Sequence, residues 1–221
     1  MRRISISLVA LAGALSPLAH AENQIWTSIG LETGLSENSQ WGASLDINSR
    51  YEPDGELSRL ELRPGLTYEL KNGVELAGGY YYGHTNQTGE DRNEHRLWQQ
   101  ASYDIGANWG LEFSGRTRIE QRYREGFDDT GARIRQRLTA DFPIEGTPLT
   151  LSAGPEIYYE LIETDWGADQ GFSELRTEAK LEWAVSDTLD LSFGYLNQLE
   201  IEQNGPDTTN HHILVGLSKD F

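Results

Sequence analysis

From residue 39 to its last residue the chain is written almost entirely in period two. Segments at 39–51, 57–70, 73–84, 93–105, 109–123, 131–143, 148–162, 171–184, 188–201 and 209–221 alternate apolar and polar side chains, and a shorter strand-like lead precedes them at 24–34. Successive side chains of a strand point to opposite faces, so this rhythm specifies an all-β chain, and no stretch carries the 3.6-residue period of an amphipathic helix. Most segments exceed the about 5–6 residues usual for a strand in a globular sheet. They match the roughly 9–11 residues, plus margins, with which a tilted strand crosses a bilayer.

The content of the two faces narrows the choice further. In 109–123, Leu111, Phe113, Ile119 and Tyr123 share one side, and Glu112, Arg116, Arg118, Glu120 and Arg122 share the other. In 131–143, Ile134, Leu138, Ala140 and Phe142 oppose Arg133, Arg135, Arg137 and Asp141; in 171–184, Leu175, Ala179, Leu181 and Trp183 oppose Glu174, Arg176, Glu178, Lys180 and Glu182. A soluble antiparallel sheet also alternates, with its apolar face on a core. A row of guanidinium groups on consecutive strands fits better inside a cylinder whose apolar face looks outward to lipid.

The connections sort into two kinds. "KNG" at 71–73, "IGAN" at 105–108, "PIEGTP" at 143–148 and "VSD" at 185–187 are short; "EPDGE" at 52–56, "TNQTGEDRN" at 85–93, "REGFDDTG" at 124–131, "ETDWGADQG" at 163–171 and "EQNGPDTT" at 202–209 are longer and acidic. Short turns at one end and long loops at the other is the layout of an antiparallel transmembrane β-barrel with periplasmic turns and extracellular loops. Aromatic residues follow the same division. Tyr68, Tyr103, Phe142, Trp183 and Phe221 lie near the short-turn end, and Tyr51, Tyr82, Tyr123 and Tyr159 near the long-loop end. Two such rings are expected where a barrel meets the two membrane interfaces.

The ends of the chain name a compartment. Arg2 and Arg3 precede an apolar run from Ile4 to Leu18 and an Ala19-His20-Ala21 site, the pattern of a secretory signal peptide cleaved after Ala21. The apolar run is shorter than the roughly 20 residues of a spanning helix. The last residue, Phe221, is preceded at alternate positions by Leu217, Val215 and Ile213, an ending suited to recognition by barrel-insertion machinery, although Lys219 stands where an apolar residue is usual. The organisation expected is therefore a signal peptide at 1–21, an N-terminal lead strand at 22–38 and a barrel at 39–221. Cysteine is absent, so disulfides do not hold the fold together. The chain carries 18 basic and 35 acidic residues, net −17, and loss of the signal peptide would make this −19, which argues against nucleic acid as a partner.

The segments "NEHRLWQQ" (93–100), "GRTRIEQRY" (115–123), "ARIRQRL" (132–138), "GPEIYYE" (154–160) and "FGYLNQ" (193–198) occur in an order that resembles a widespread family of small bacterial outer-membrane β-barrel proteins classed as a domain of unknown function. The resemblance covers most of the mature chain. It implies a location and an architecture, and it brings no catalytic residues.

The residues themselves offer no catalytic constellation either. His84, His95, His211 and His212 fit no metal-binding spacing, no Ser lies in a G-x-S-x-G elbow, and no cofactor motif is present. What the sequence does carry is a charge network on the lumen side: Arg96, Glu112, Arg116, Arg118, Glu120, Arg122, Arg133, Arg135, Arg137, Glu156, Glu160, Glu174, Arg176 and Glu178. Two arrangements are open. The network can be a salt-bridged plug in which every buried guanidinium, Arg118 included, is held by a glutamate, or it can line a narrow wet pore that selects ions or small charged solutes. Ten strands place both barrel ends on the turn side, with the lead folded beneath or inside the barrel; twelve is the alternative, because bacterial single-chain barrels use even numbers. Gln99, Gln121 and Gln136 fall on the lipid side of three consecutive strands, where they bond to one another, to lipopolysaccharide sugars, or across a weak homo-oligomer contact. The partners expected are outer-membrane lipid and lipopolysaccharide. The competing classes are an outer-membrane enzyme acting on lipid and a soluble periplasmic β-protein.

Overall fold

The computed structural model describes residues 23–36, 39–86, 91–202 and 205–221. The proposed signal peptide and its cleavage point lie outside these residues. Among the described residues eleven strands form one closed cylinder, antiparallel except at its closing pair: β1 (Asn23–Gly34), β2 (Trp41–Tyr51), β3 (Leu57–Glu69), β4 (Glu75–Thr85), β5 (Arg92–Asn108), β6 (Leu111–Arg124), β7 (Thr130–Pro143), β8 (Leu149–Glu160), β9 (Gly171–Ser186), β10 (Leu189–Glu200) and β11 (Thr208–Asp220). Strands adjacent in sequence pair antiparallel, so the register of every pair except the closing one between β1 and β11 is fixed locally. The hairpin between β5 and β6 is tighter than the sequence suggests. The strands run on through 105–108, and the turn is Trp109-Gly110, with both residues at positive φ (54° and 79°).

The strand count corrects the expectation of ten or twelve. The lead is not beneath or inside the barrel; as β1 it is part of the wall, paired antiparallel to β2 from Ile25↔Tyr51 to Gly34↔Gly42 and parallel to β11 from Asn23↔His211 to Glu32↔Asp220. The geometry follows from parity: in an up-and-down set of odd number the first and last strands run the same way, so the closing pair must be parallel. The lead is suited to this place. Ile25 and Ile29 stand exposed on the outside, while Trp26 turns inward and stacks on His212 at 4.4 Å. The backbone of Phe221 closes the seam with a 3.0 Å hydrogen bond to Glu32 O, leaving no open edge.

Leu66, Leu97, Ile119, Leu138, Leu151, Leu181 and Ile213 are exposed on the outside, so the exterior is an apolar belt. Around its ends stand Trp41, Tyr123, Phe142, Tyr159, Trp183 and Phe221, also exposed. The residues that are buried lie within the cylinder and are mostly polar or charged, which inverts a soluble core. Space for the largest of them comes from the wall. The β3–β4 ladder is interrupted at Arg63 and Pro64, where proline cannot donate, and the ring of Trp98 lies over Gly65. A Cβ at Gly65 would stand 2.7 Å from Trp98 Cζ2, so a side chain there would displace the indole.

Candidate functional site

The lumen is organised around carboxylates that each serve several guanidinium groups. Glu120, 1 % exposed, accepts from Arg96 (3.2 Å), from Arg133 (2.6 Å) and, through its other oxygen, from Arg135 (3.1 Å). Glu94 accepts from Arg96 (2.8 Å) and Arg122 (2.7 Å), and Arg124 stands 3.4 Å away. Glu160 accepts from Arg122 at 2.9 Å. Glu156 accepts from Arg116 (2.6 Å) and Arg135 (3.0 Å), while Tyr158 takes a second Arg135 hydrogen bond at 2.8 Å. These contacts cross from the central strands to β8, which is why residues about forty positions apart meet. A buried ion pair is tolerated when its charge and hydrogen-bonding needs are both met, and losing one partner is costly.

Aromatic rings fill the gaps between the ions. Arg96 lies 4.1 Å over Tyr81, Arg135 lies 4.5 Å and Arg176 lies 4.8 Å over Tyr158, and Arg50 lies 3.9 Å over Trp26. Such contacts suit guanidinium, which is weakly hydrated and flat. At the loop end the segment 161–170 folds inward. Trp166 is nearly buried beside Arg122 (4.8 Å) and Arg124 (4.2 Å), and its ring sits where a Cβ on Gly131 would collide at 2.6 Å. The loop is clasped to its neighbour by Asp165 N donating to Asp129 Oδ2 (2.7 Å) and Asp128 N donating to Asp165 Oδ2 (3.1 Å).

The other residues singled out from the sequence divide. Arg137 pairs with Glu178 at 2.6 Å, and Arg176 with Glu174, which also accepts from Gln198 at 2.6 Å. Glu112 does not join the network. It is exposed near the turn end of β6, opposite Asp141, and no ion pair reaches it among the described residues. Arg118 departs in the other direction: it is 4 % exposed, yet its Nε donates to the neutral Gln100 Oε1 (2.8 Å), and no carboxylate pairs with it among the described residues. The expectation that a glutamate holds it is therefore corrected. The nearby Glu120 is held instead by Arg96, Arg133 and Arg135.

Several lumen residues escaped the sequence reading. Arg50, Arg59 and Arg63 gather on Glu61, from which Arg50 is 3.0 Å and Arg59 2.7 Å away. Tyr81 and Trp98 were hidden by their own apolarity; Trp98 has the parity of a charged neighbour, Arg96, whereas Tyr81 shares its face only with Gly79 and Gly83 nearby. On the outside, Gln99 and Gln121 exchange two hydrogen bonds of 3.2 Å, and Gln136 accepts from Thr117 (2.6 Å) and donates to Tyr103 (3.2 Å). The three amides are satisfied within the wall, which removes the unmet need that a subunit contact would have served. His211 faces outward to Tyr195 and His212 inward to Gln198 (2.9 Å), so the adjacent pair shares no site. No group of three His, Cys, Asp or Glu side chains suited to a metal ion occurs among the described residues.

A cavity of about 420 Å³ remains in the lumen. Among the described residues, thirteen Arg or Lys and seven Asp or Glu line it, an excess of six cations in a chain whose net charge is −17. Basic groups are thus concentrated inside and acidic groups outside.

Comparison with known proteins agrees with this architecture. The model of a family described as protein of unknown function (DUF2490) matches residues 23–210. An uncharacterized protein of Methylorubrum extorquens is 26 % identical over 217 residues, covering 96 % of this chain and 94 % of that protein. Among solved structures, the NanC porin superposes with a TM-score of 0.51 at 11 % identity, covering 90 % of this chain and 99 % of that one. That likeness is one of fold: a porin-like β-barrel.

Proposed function

The chain belongs to the DUF2490 family, and we propose that it is an outer-membrane β-barrel whose constricted lumen admits small anions in preference to cations. The location is supported by the signal-like segment at 1–21, the apolar belt with its aromatic ends and the porin-like fold. The observation that carries the selectivity is the lining of the cavity, with thirteen cationic and seven acidic side chains among the described residues. In a narrow lumen, rings of fixed charge act at close range and decide which ion enters. The same crowding limits throughput. Glu120, Tyr81, Trp98 and Tyr158 are all buried, so the free cross-section is small.

The test is the reversal potential of the refolded protein in a planar bilayer under a KCl gradient. The expected result is a low conductance whose reversal potential has the sign of chloride preference; a potassium-preferring sign would overturn the reading. A second reading, a closed structural barrel, draws on Trp166 and its clasped loop above Arg122 and Arg124. Absence of any conductance, with the folded state verified by heat-modifiable gel migration, would select it.

A further inference from the structure

We infer that the lumen contains a built site for one small oxyanion, a carboxylate or a phosphate, formed by Arg118 together with Arg116 and Arg63. The first observation is Arg118 itself. A guanidinium has five N–H donors and cannot shed its charge in a protein. Here it is buried, both of its bonds go to the single neutral oxygen of Gln100, and Nη1 has no hydrogen-bond partner among the described residues.

The second observation is that the same deficiency recurs beside it. Arg116 Nε and Arg63 Nε are also buried without a hydrogen-bond partner. Cations adjoin Arg118 on its own strand and on the next: Arg116 lies two positions away on the same face of β6, and Arg135 is its register partner on β7. All three arginines of the proposed site line the same cavity. Their existing partners do not meet the surplus. Arg116 shares Glu156 with Arg135, and Arg63 stands 3.5 Å from Asp46, whose side chain is 41 % exposed to solvent, and 4.0 Å from Glu61, which Arg50 and Arg59 already hold.

An uncompensated buried cation is costly, and an oxyanion held among these three arginines of the cavity lining would supply the acceptor and the charge that Gln100 does not. A halide can also neutralise the charge and accept from several sides, but it is a single centre, whereas the separate oxygens of a carboxylate or phosphate match the fork of a guanidinium. Gln100 acts as a positioning residue, since its carbonyl oxygen holds Nε and Nη2 and leaves Nη1 for the ligand. The site stands on geometry in the lumen and does not depend on ion conduction, so its failure and the failure of the anion-selective reading are separable.

The experiment is calorimetric titration of the full refolded chain in detergent with inorganic phosphate and, separately, with acetate, against chloride at equal ionic strength. Saturable binding of at least one oxyanion, and none of chloride, is expected. Which oxyanion binds more tightly assigns the carboxylate or the phosphate class. Arg118→Met should weaken that binding by about tenfold or more, the effect of losing one charge-assisted contact. Gln100→Glu is the second arm: it is nearly isosteric, supplies the missing carboxylate internally, and should abolish binding while the barrel still shows heat-modifiable migration. Failure of both oxyanions to bind saturably would overturn the proposal, as would wild-type affinity in either variant.

Discussion

Arg135 and Arg118 are neighbours across the β6–β7 ladder, in register with one another and both nearly buried, at 8 % and 4 % exposure. Their surroundings could hardly differ more. Arg135 donates to Glu120, Glu156 and Tyr158, whereas Arg118 lies 4.9 Å over the Trp98 ring and, among the described residues, donates only to Gln100. The comparison teaches that burial and neutralisation are separate properties inside a barrel. Around Glu120 the lumen is a structural ion lattice; around Arg118 it is a cationic surface that lacks its counterion.

The largest effect should come from the lattice. Glu120→Ala strips a shared partner from Arg96, Arg133 and Arg135, and the refolded protein should lose roughly 3–5 kcal/mol of stability in a urea titration. A loss below about 1 kcal/mol would break the contrast, because Glu120 would then be no more than one exchangeable anion among many.

Next is the loop that covers the lattice. Trp166→Ala removes the ring beside Arg122 and Arg124 and should cost about 1–2 kcal/mol. The loss should be local: amide exchange should quicken across 161–170 while β6 and β7 stay protected. Uniform loss of protection would instead make Trp166 part of the barrel's global stability.

Arg118→Met is predicted to do the least among the buried changes. It removes a cation without orphaning any carboxylate, so stability in oxyanion-free buffer should stay within about 1 kcal/mol of wild type or rise. A loss as large as that of Glu120→Ala would show that Arg118 has a chain partner after all.

The exposed rim gives a third case, smaller still. Asn93, at 2.7 Å, and His95, at 3.1 Å, bond Glu125 just beyond the end of β6 and hold its carboxyl below the ordinary value of 4.5. A carboxyl depressed in the folded state contributes stability that is present above its unfolded value and is lost as pH falls through the folded one. Carbon NMR of the Glu125 carboxyl should therefore show a midpoint below 4.5. A midpoint at or above that value would mean that the contact is not formed in solution.

How far these contrasts are legible in the sequence depends on the distance over which each is decided. Strand positions, facing and the two kinds of connection come from period two and from turn residues, and the structure departs from them by only a few residues, as where β5 runs on to Asn108. The seam was not legible. Residues 24–34 alternate like any other strand, but whether such a strand closes the wall in parallel with β11 depends on the circumference of the whole cylinder. Partner choice among the arginines is likewise hidden. Arg116, Arg118 and Arg122 look equivalent along β6, and only the reach across the lumen gives Glu156 to the first and Glu160 to the last and leaves the middle one with Gln100. Parity nonetheless gave the clue to Trp98, since it shares a face with Arg96 and Gln100.

The contrast between a neutralised lattice and an unmatched arginine is tested most directly by anomalous diffraction from crystals of the protein grown with selenate, a heavy oxyanion. The account predicts a selenium peak within hydrogen-bonding distance of Arg118 Nη1, shared with Arg116 or Arg63, and none beside Arg133 or Arg135. A lumen without selenium, with a carboxylate of the chain itself seated on Arg118, would contradict it.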